Sequence, residues 1–199
     1  MDETEHDSTV HMKPTELTAS AGKGTVWKSD NFAQDWFADA LHEARSGRGH
    51  KSRRREIIFA ACFAESYIFE WVRRTVQIEG INDYFPPTPR FSRDPRYRRS
   101  LKEKWKQIPH ELHKEGNIPS DPSLDLSGLG TLLKYRHGLV HAAASRPATD
   151  VQPKETRPFP SRGMLEKLKP GWAVTIVADL VHSLHQAIGT FPPDYVEYP

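Results

Sequence analysis

Cysteine is nearly absent from this chain: Cys62 stands alone among 199 residues, which excludes a disulfide within the chain. It lies in an apolar segment, where a small soft side chain packs into a core. Long hydrophobic runs are missing as well. No apolar stretch approaches the roughly eighteen residues that a membrane span needs, and mean hydropathy is -0.67. The first twenty residues are acidic and polar, unlike a secretory signal. A soluble, cytoplasmic protein with no membrane partner is the expectation. There is also no β-type alternation of any length, no internal repeat and no low-complexity tract. What is left is helical periodicity, and it predicts an all-α bundle of about five helices.

Excess charge is also lacking, since a net charge of +2 does not by itself argue for nucleic acid. Its distribution says more. Arg90, Arg93, Arg96, Arg98, Arg99, Lys102, Lys104 and Lys106 crowd one stretch against only Asp94 and Glu103. A second run, Lys51, Arg53, Arg54 and Arg55, follows the Gly-rich SGRGH segment. Such clusters attract phosphates and release counterions. Solvated helix faces carry the same pattern, so charge alone leaves both readings open.

In chain order, residues 1–29 read as a disordered tail and 30–190 as one helical domain, with 191–199 as a C-terminal tail. The first helix, about Asp30 to Arg45, repeats Phe32, Trp36, Phe37, Ala40, Leu41 and Ala44 on one face, and SGRG stops it. The second, about Ser52 to Glu79, is apolar on nearly every side from Ile57 to Val72, so other helices should surround it. Glu65 and Glu70 interrupt that run, and a buried carboxylate needs a partner. A basic, Pro-rich insertion (80–96) mixes arginines with Tyr84, Phe85 and Phe91, a combination suited to phosphate contacts and base stacking or simply to pinning a loop. A third helix, about Arg96 to Lys114, carries Leu101, Trp105, Ile108 and Leu112, and Pro109 should kink it or end it early. A fourth begins near Ser123 or Leu126, weakened by Gly128, Gly130 and Gly138. A Pro-rich link (146–163) leads to a short amphipathic turn at Met164 to Leu168. The last helix, about Pro170 to Thr190, buries Val174, Val177, Ala178, Val181, Leu184 and Ile188.

The chemistry concentrates in Leu132 to Arg146, LLKYRHGLVHAAASR, late in the fourth helix. Arg136 and His141 form an R-x4-H arrangement with His137 directly after the arginine. Spacing alone is weak, because Arg45 and His50 repeat it beside a Gly-rich linker read here as flexible. Context separates the two: an apolar helix bearing FAACFAESYIFEW precedes LLKYRHGLVHAA, and another apolar helix follows.

That combination resembles the HEPN family (higher eukaryotes and prokaryotes nucleotide-binding domains) over about Asp30 to Thr190. The resemblance implies an α-helical bundle, usually a homodimer, with an R-x4-6-H motif whose arginine is followed by a polar residue. Many members are metal-independent endoribonucleases, often toxins with an antitoxin partner or antiviral-defence effectors, while others are non-catalytic modules that bind RNA or protein. It implies His141 as general base, Arg136 as stabiliser of the transition state, His137 as orienting group or acid, and Glu65 as a positioner of Arg136. Imidazole exchanges protons near neutrality and guanidinium stays charged, so these residue types suit RNA cleavage without a cofactor. Arg90, Arg93, Arg96, Arg98 and Arg99 are the expected RNA contacts.

Helix geometry constrains the motif. Five residues at about 100° each put Arg136 and His141 roughly 140° apart on a regular helix. They converge in one chain only if the helix distorts near Gly138 or ends before His141, whereas a dimer brings two copies to a shared cleft. His137 and His141, at i and i+4, do share a face. Two imidazoles so placed bind zinc only with further ligands. His182 and His185 would supply them if the fourth and last helices touch, but no zinc-hydrolase glutamate and no Cys cluster is present, and no metal is expected. An Arg and a His capping a packed helix is the plainer account of the same spacing.

Overall fold

The computed structural model describes residues 32–76, 80–85, 99–141 and 160–199, and of His141 the backbone alone. The expected N-terminal tail, most of the basic insertion and most of the Pro-rich link lie outside the described residues. Seven helices make up the described chain: α1 Phe32–Ser46, α2 Gly49–Thr75, α3 Ile81–Tyr84, α4 Leu101–Lys114, α5 Ser127–His141, α6 Arg162–Lys167 and α7 Trp172–Ile188. No strand occurs among the described residues, so the all-α expectation stands. The count of about five is corrected to seven by the short α3 and α6. Among the described residues no helix is long and apolar enough to cross a membrane.

Helix α2 is the hub, packed against each of the other six, as its apolar composition requires. Ile57, Ala60, Phe63, Ala64, Ile68 and Val72 are almost fully removed from solvent. Two residues, Gly47 and Arg48, turn the chain from α1 back along α2, with Phe37 edge-on to Phe63 at 4.9 Å and Trp36 near Phe59 at 5.7 Å. Gly47 is required there, because a Cβ would stand 2.4 Å from the Glu43 carbonyl oxygen and from Ser52. The linker between Arg45 and His50 is therefore a built turn rather than the flexible one expected. Arg45 pairs with Glu197 at 3.1 Å and His50 meets Glu166 at 3.7 Å.

Several boundaries move for identifiable reasons. Helix α4 starts at Leu101, not Arg96, because Ser100 accepts from the Glu103 amide at 3.3 Å while Glu103 accepts from the Ser100 amide at 2.6 Å, a complete capping box. Pro109 does not end α4; it is buried in the middle of a helix that continues to Lys114 beside Trp105, Ile108 and Leu112. Trp105 fixes α4 to α2 through its indole N–H, which donates to the Ala64 carbonyl at 3.0 Å. Helix α7 starts at Trp172 rather than Pro170, after Gly171 at φ 82°, and stops at Gly189 with φ 70°. Its predicted core face, Val174 to Ile188, is buried throughout.

The N-terminus of α7 explains a buried carboxylate in α2. Glu56, 1 % exposed, accepts from the Ala173 amide at 2.9 Å and is paired with Arg53, itself 4 % exposed. Arg53 also donates to the Gly47 carbonyl at 3.1 Å. Burial pushes the Glu56 carboxyl above its ordinary value, against the pull of Arg53 and the Ala173, Gly171 and Val174 amides. Arg53 thus faces inward and is withdrawn from the expected phosphate-attracting run.

The final nine residues fold back as a strap. Val196 is buried, Tyr195 lies 6.3 Å from Phe37, and the Tyr198 hydroxyl donates to Asp179 at 2.9 Å. His182 stacks on Tyr198 at 5.3 Å, its Nε2 hydrogen-bonded to the Val196 carbonyl at 3.2 Å.

Candidate functional site

Helix α5 carries the R-x4-H motif, and its rotation is set by packing. Asp125 accepts from the Ser127 amide at 2.9 Å at its start, which holds the Asp125 carboxyl below its usual range. Gly128 and Gly130, which weaken a helix in isolation, admit neighbours. A Cβ on Gly128 would sit 3.2 Å from Ile176 of α7, and one on Gly130 would sit 3.3 Å from the Lys102 ammonium. Leu129, Leu132 and Leu139 are buried, and Tyr135 leans on Trp172 at 5.4 Å.

With that side of α5 committed, Arg136 is half-buried toward α2 and His137 is exposed. The Arg136 guanidinium acts electrostatically on the Cys62 thiol, drawing it down, while burial and the nearby Glu65 push it up; burial dominates. Cys62 is thus a half-buried thiol subject to the opposing charges of Arg136 and Glu65, not a fully enclosed core residue.

Glu65 is exposed, and its ion pair is with Lys104 of α4 at 3.9 Å rather than with Arg136, the partner considered from the sequence. Lys104 in turn stands 5.6 Å over the Phe85 ring, which meets Phe69 edge-on at 5.1 Å. The other polar interruption of α2, Glu70, accepts from the Ala33 amide at 3.0 Å and pairs with Arg74 at 3.6 Å. It anchors the start of α1.

Helix α5 runs without interruption through Gly138 and has His141 as its last residue. Regular register then separates Arg136 from His141 by about 140°, and leaves His137 and His141 on one face. Neither escape considered from the sequence, a distortion at Gly138 or a helix end before His141, occurs.

Of the expected RNA contacts, Arg90, Arg93, Arg96 and Arg98 lie outside the described residues. Arg99 is half-buried and bound through both terminal nitrogens to Glu111, at 2.8 and 2.5 Å. Its fork is occupied within the fold. In the upstream run Arg55 pairs with Glu43 at 3.2 Å, and Lys51 and Arg54 remain exposed.

The histidines of α7 are engaged internally. His185, buried, joins the Tyr67 hydroxyl through Nε2 at 2.6 Å and Thr190 through Nδ1 at 2.7 Å. Burial, and secondarily His182, holds its imidazole below the ordinary pKa. Among the described residues no group of three or more His, Cys, Asp or Glu side chains is placed to hold a metal ion.

Sequence reasoning missed two features. One is the Arg53–Glu56 pair, whose partner amide on α7 is 117 positions away. The other is a cleft of about 490 Å³ framed by α2, α7, the turn after α4 and the C-terminal strap. From the strap it is Phe191, Pro193 and Tyr195 that line this cleft.

No family model, curated protein or solved structure matches the chain.

Proposed function

We propose that this chain is a metal-independent endoribonuclease of the HEPN type, with Arg136 and His141 meeting across a two-fold dimer. The observation that supports this reading best is the setting of α5. Helix α5 packs on α2 and α7 and carries a half-buried Arg136, close enough to act electrostatically on Cys62, next to an exposed His137, and it continues as a helix to His141. A guanidinium on a packed helix can offer its fork to a pair of phosphate oxygens. The 140° separation within one chain is the reason a second copy is part of the proposal: a two-fold axis beside α5 sets Arg136 of one protomer opposite His141 of the other.

In this reading His141 takes the proton of the 2′-hydroxyl, whose oxygen attacks the adjacent phosphorus. Arg136 offsets the charge of the phosphorane, and His137 returns a proton to the departing 5′-oxygen. The products are a 2′,3′-cyclic phosphate and a 5′-hydroxyl. Glu65, paired with Lys104, acts on the site's electrostatics and has no proton-transfer role. A toxin or antiviral-defence setting, with an antitoxin or other protein partner, follows from the family resemblance.

The same separation also favours a second reading, a non-catalytic HEPN-like module that binds RNA or protein, in the case that the chain is monomeric. Incubation of the purified protein with mixed tRNA and mRNA in EDTA tests the proposal, beside Arg136→Ala and His141→Ala variants checked for folding by circular dichroism. Cleavage by the unmodified chain alone, leaving 2′,3′-cyclic phosphate ends, is expected. Binding of RNA without any cleavage selects the module instead.

A further inference from the structure

We propose that the N-terminal end of α2 is a docking surface for the phosphate backbone of an RNA strand, held by Arg48, Lys51 and Arg54. It extends the RNA reading to a second surface and rests on that reading for the kind of partner, but it concerns binding and not cleavage. Lys51 and Arg54, at i and i+3, are neighbours on the outer side of α2, and Arg48 directly precedes the first turn. All three are exposed, and among the described residues their side chains form no ion pair or hydrogen bond. Lys167, exposed on α6, stands at the same end of the bundle, because the Glu166 beside it meets His50 of the first turn at 3.7 Å. The carboxylates of this end are already matched: Glu43 by Arg55 at 3.2 Å, Glu166 by Arg162 at 2.8 Å and Glu197 by Arg45 at 3.1 Å. Arg48, Lys51, Arg54 and Lys167 are left without a counter-charge. Helix α2 supplies none either: its first turn has no acid and no side chain caps it, so the positive end of the helix adds to the field.

The pattern selects a polyanion over other partners. Between Arg48 and Ile58 no large apolar side chain is exposed, so α2 presents neither a lipid-inserting face nor an apolar anchor for a protein there. Fixed charges spaced along one helix instead suit a backbone of repeating phosphates, whose binding is driven by release of counterions. The strip continues toward α5. Lys51, Arg55, Ile58 and Cys62 follow at i, i+4, i+7 and i+11 on one side of α2, and Cys62 is where the Arg136 guanidinium acts. Lys51 and Cys62 are thus about 16 Å apart along the helix, so one strand can span both the basic end and the R-x4-H motif.

Fluorescence anisotropy of the full chain with a short, labelled 2′-O-methyl oligoribonucleotide of mixed sequence tests the assignment. That probe lacks the hydroxyl that cleavage consumes, so it reports binding whether or not the chain cuts. Expected is binding that weakens steeply between about 50 and 200 mM salt. The Arg48→Gln/Lys51→Gln/Arg54→Gln chain should bind at least about tenfold more weakly at the lower salt. Its slope of log K against log salt should be shallower by about 2, the value for three lost single-strand contacts. Lys102→Gln/Lys106→Gln/Lys114→Gln removes the same charge from α4, where all three are exposed, and should keep most of the affinity. The assignment is overturned by an absence of salt-dependent binding, by equal losses in the two triple variants, or by an α2 triple variant, folded by circular dichroism, that binds as the unmodified chain does. Capture by phosphatidylserine vesicles without binding of the oligonucleotide overturns it equally. Salt-dependent binding through α2 by a chain that cuts no RNA supports this surface while refuting the nuclease reading.

Discussion

Replacing Arg53 by Met removes the counter-charge of a carboxylate that is 1 % exposed. Glu56 would keep its α7 amides but lose the one cation that draws its pKa down. A contacting opposite charge moves a carboxyl by about one to three pH units, so its loss is worth roughly 1.4–4 kcal/mol at a pH where Glu56 must be ionised. The Gly47 carbonyl also loses its Arg53 donor, adding about 1 kcal/mol. The total, about 2.4–5 kcal/mol, overlaps the roughly 3–5 kcal/mol general cost of breaking a buried ion pair. The sign of the pH dependence follows from the raised native pKa. The native state holds the Glu56 proton more tightly than the unfolded chain, so stability is greatest below the ordinary value of 4.5 and falls as pH rises through the native one. In Arg53→Met that native value lies higher still, so the loss should be small at pH 5 and large at pH 8. Urea unfolding followed by circular dichroism measures it. With a slope near 2 kcal/mol per molar, the midpoint should drop by about 1.2–2.5 M at pH 8. Arg53→Met/Glu56→Gln should recover part of that and lose the pH dependence. Equal losses at pH 5 and pH 8, or a loss under about 1 kcal/mol at both, would refute the reasoning.

Three further outcomes follow from the packing. His185 is held below its ordinary 6.5, so its contribution to stability is full above pH 6.5 and is lost as pH falls through the lower native value; unfolding curves of His185→Gln should lack that part of the wild-type acid decline. Gly47→Ala drives a methyl group against the Glu43 carbonyl and Ser52, and should cost about 1–3 kcal/mol, seen by calorimetry as a Tm lower by several degrees. Removal of residues 194–199 exposes what Val196 and Tyr195 cover and should cost at least about 2 kcal/mol in urea unfolding, whereas a free tail would cost nothing.

Helix faces were legible because each buries a periodic stripe. Phe37, Ala40, Leu41 and Ala44 of α1 and the whole predicted core face of α7 are buried as their spacing demands. The hub position of α2 was legible for the complementary reason, an apolar surface on nearly every side. Ser100 and Glu103 carried a readable S-x-x-E cap that outweighs the basic residues before it. Arg53 and Glu56 were not legible. Their RRRE context looks like a solvated face, and only the approach of α7, far along the chain, turns them inward. Glu65 and Glu70 likewise show how similar residues on one helix diverge: Glu70 finds the start of α1, whereas Glu65 stays in solvent with Lys104. For the R-x4-H motif, spacing and helix register were both readable, and the continuity of α5 through Gly138 supports the proposed arrangement that uses two chains.

Complementation between inactive variants tests that arrangement most directly. In the proposed dimer, Arg136→Ala and His141→Ala chains, differently tagged and co-expressed, form mixed pairs in which one site draws both intact residues from opposite protomers. With random pairing, about half the dimers are mixed and each has one of two sites restored, so roughly a quarter of wild-type cleavage in EDTA should return. Two variants that are dead alone and remain dead when mixed dimers are isolated would contradict a site shared between two copies of α5.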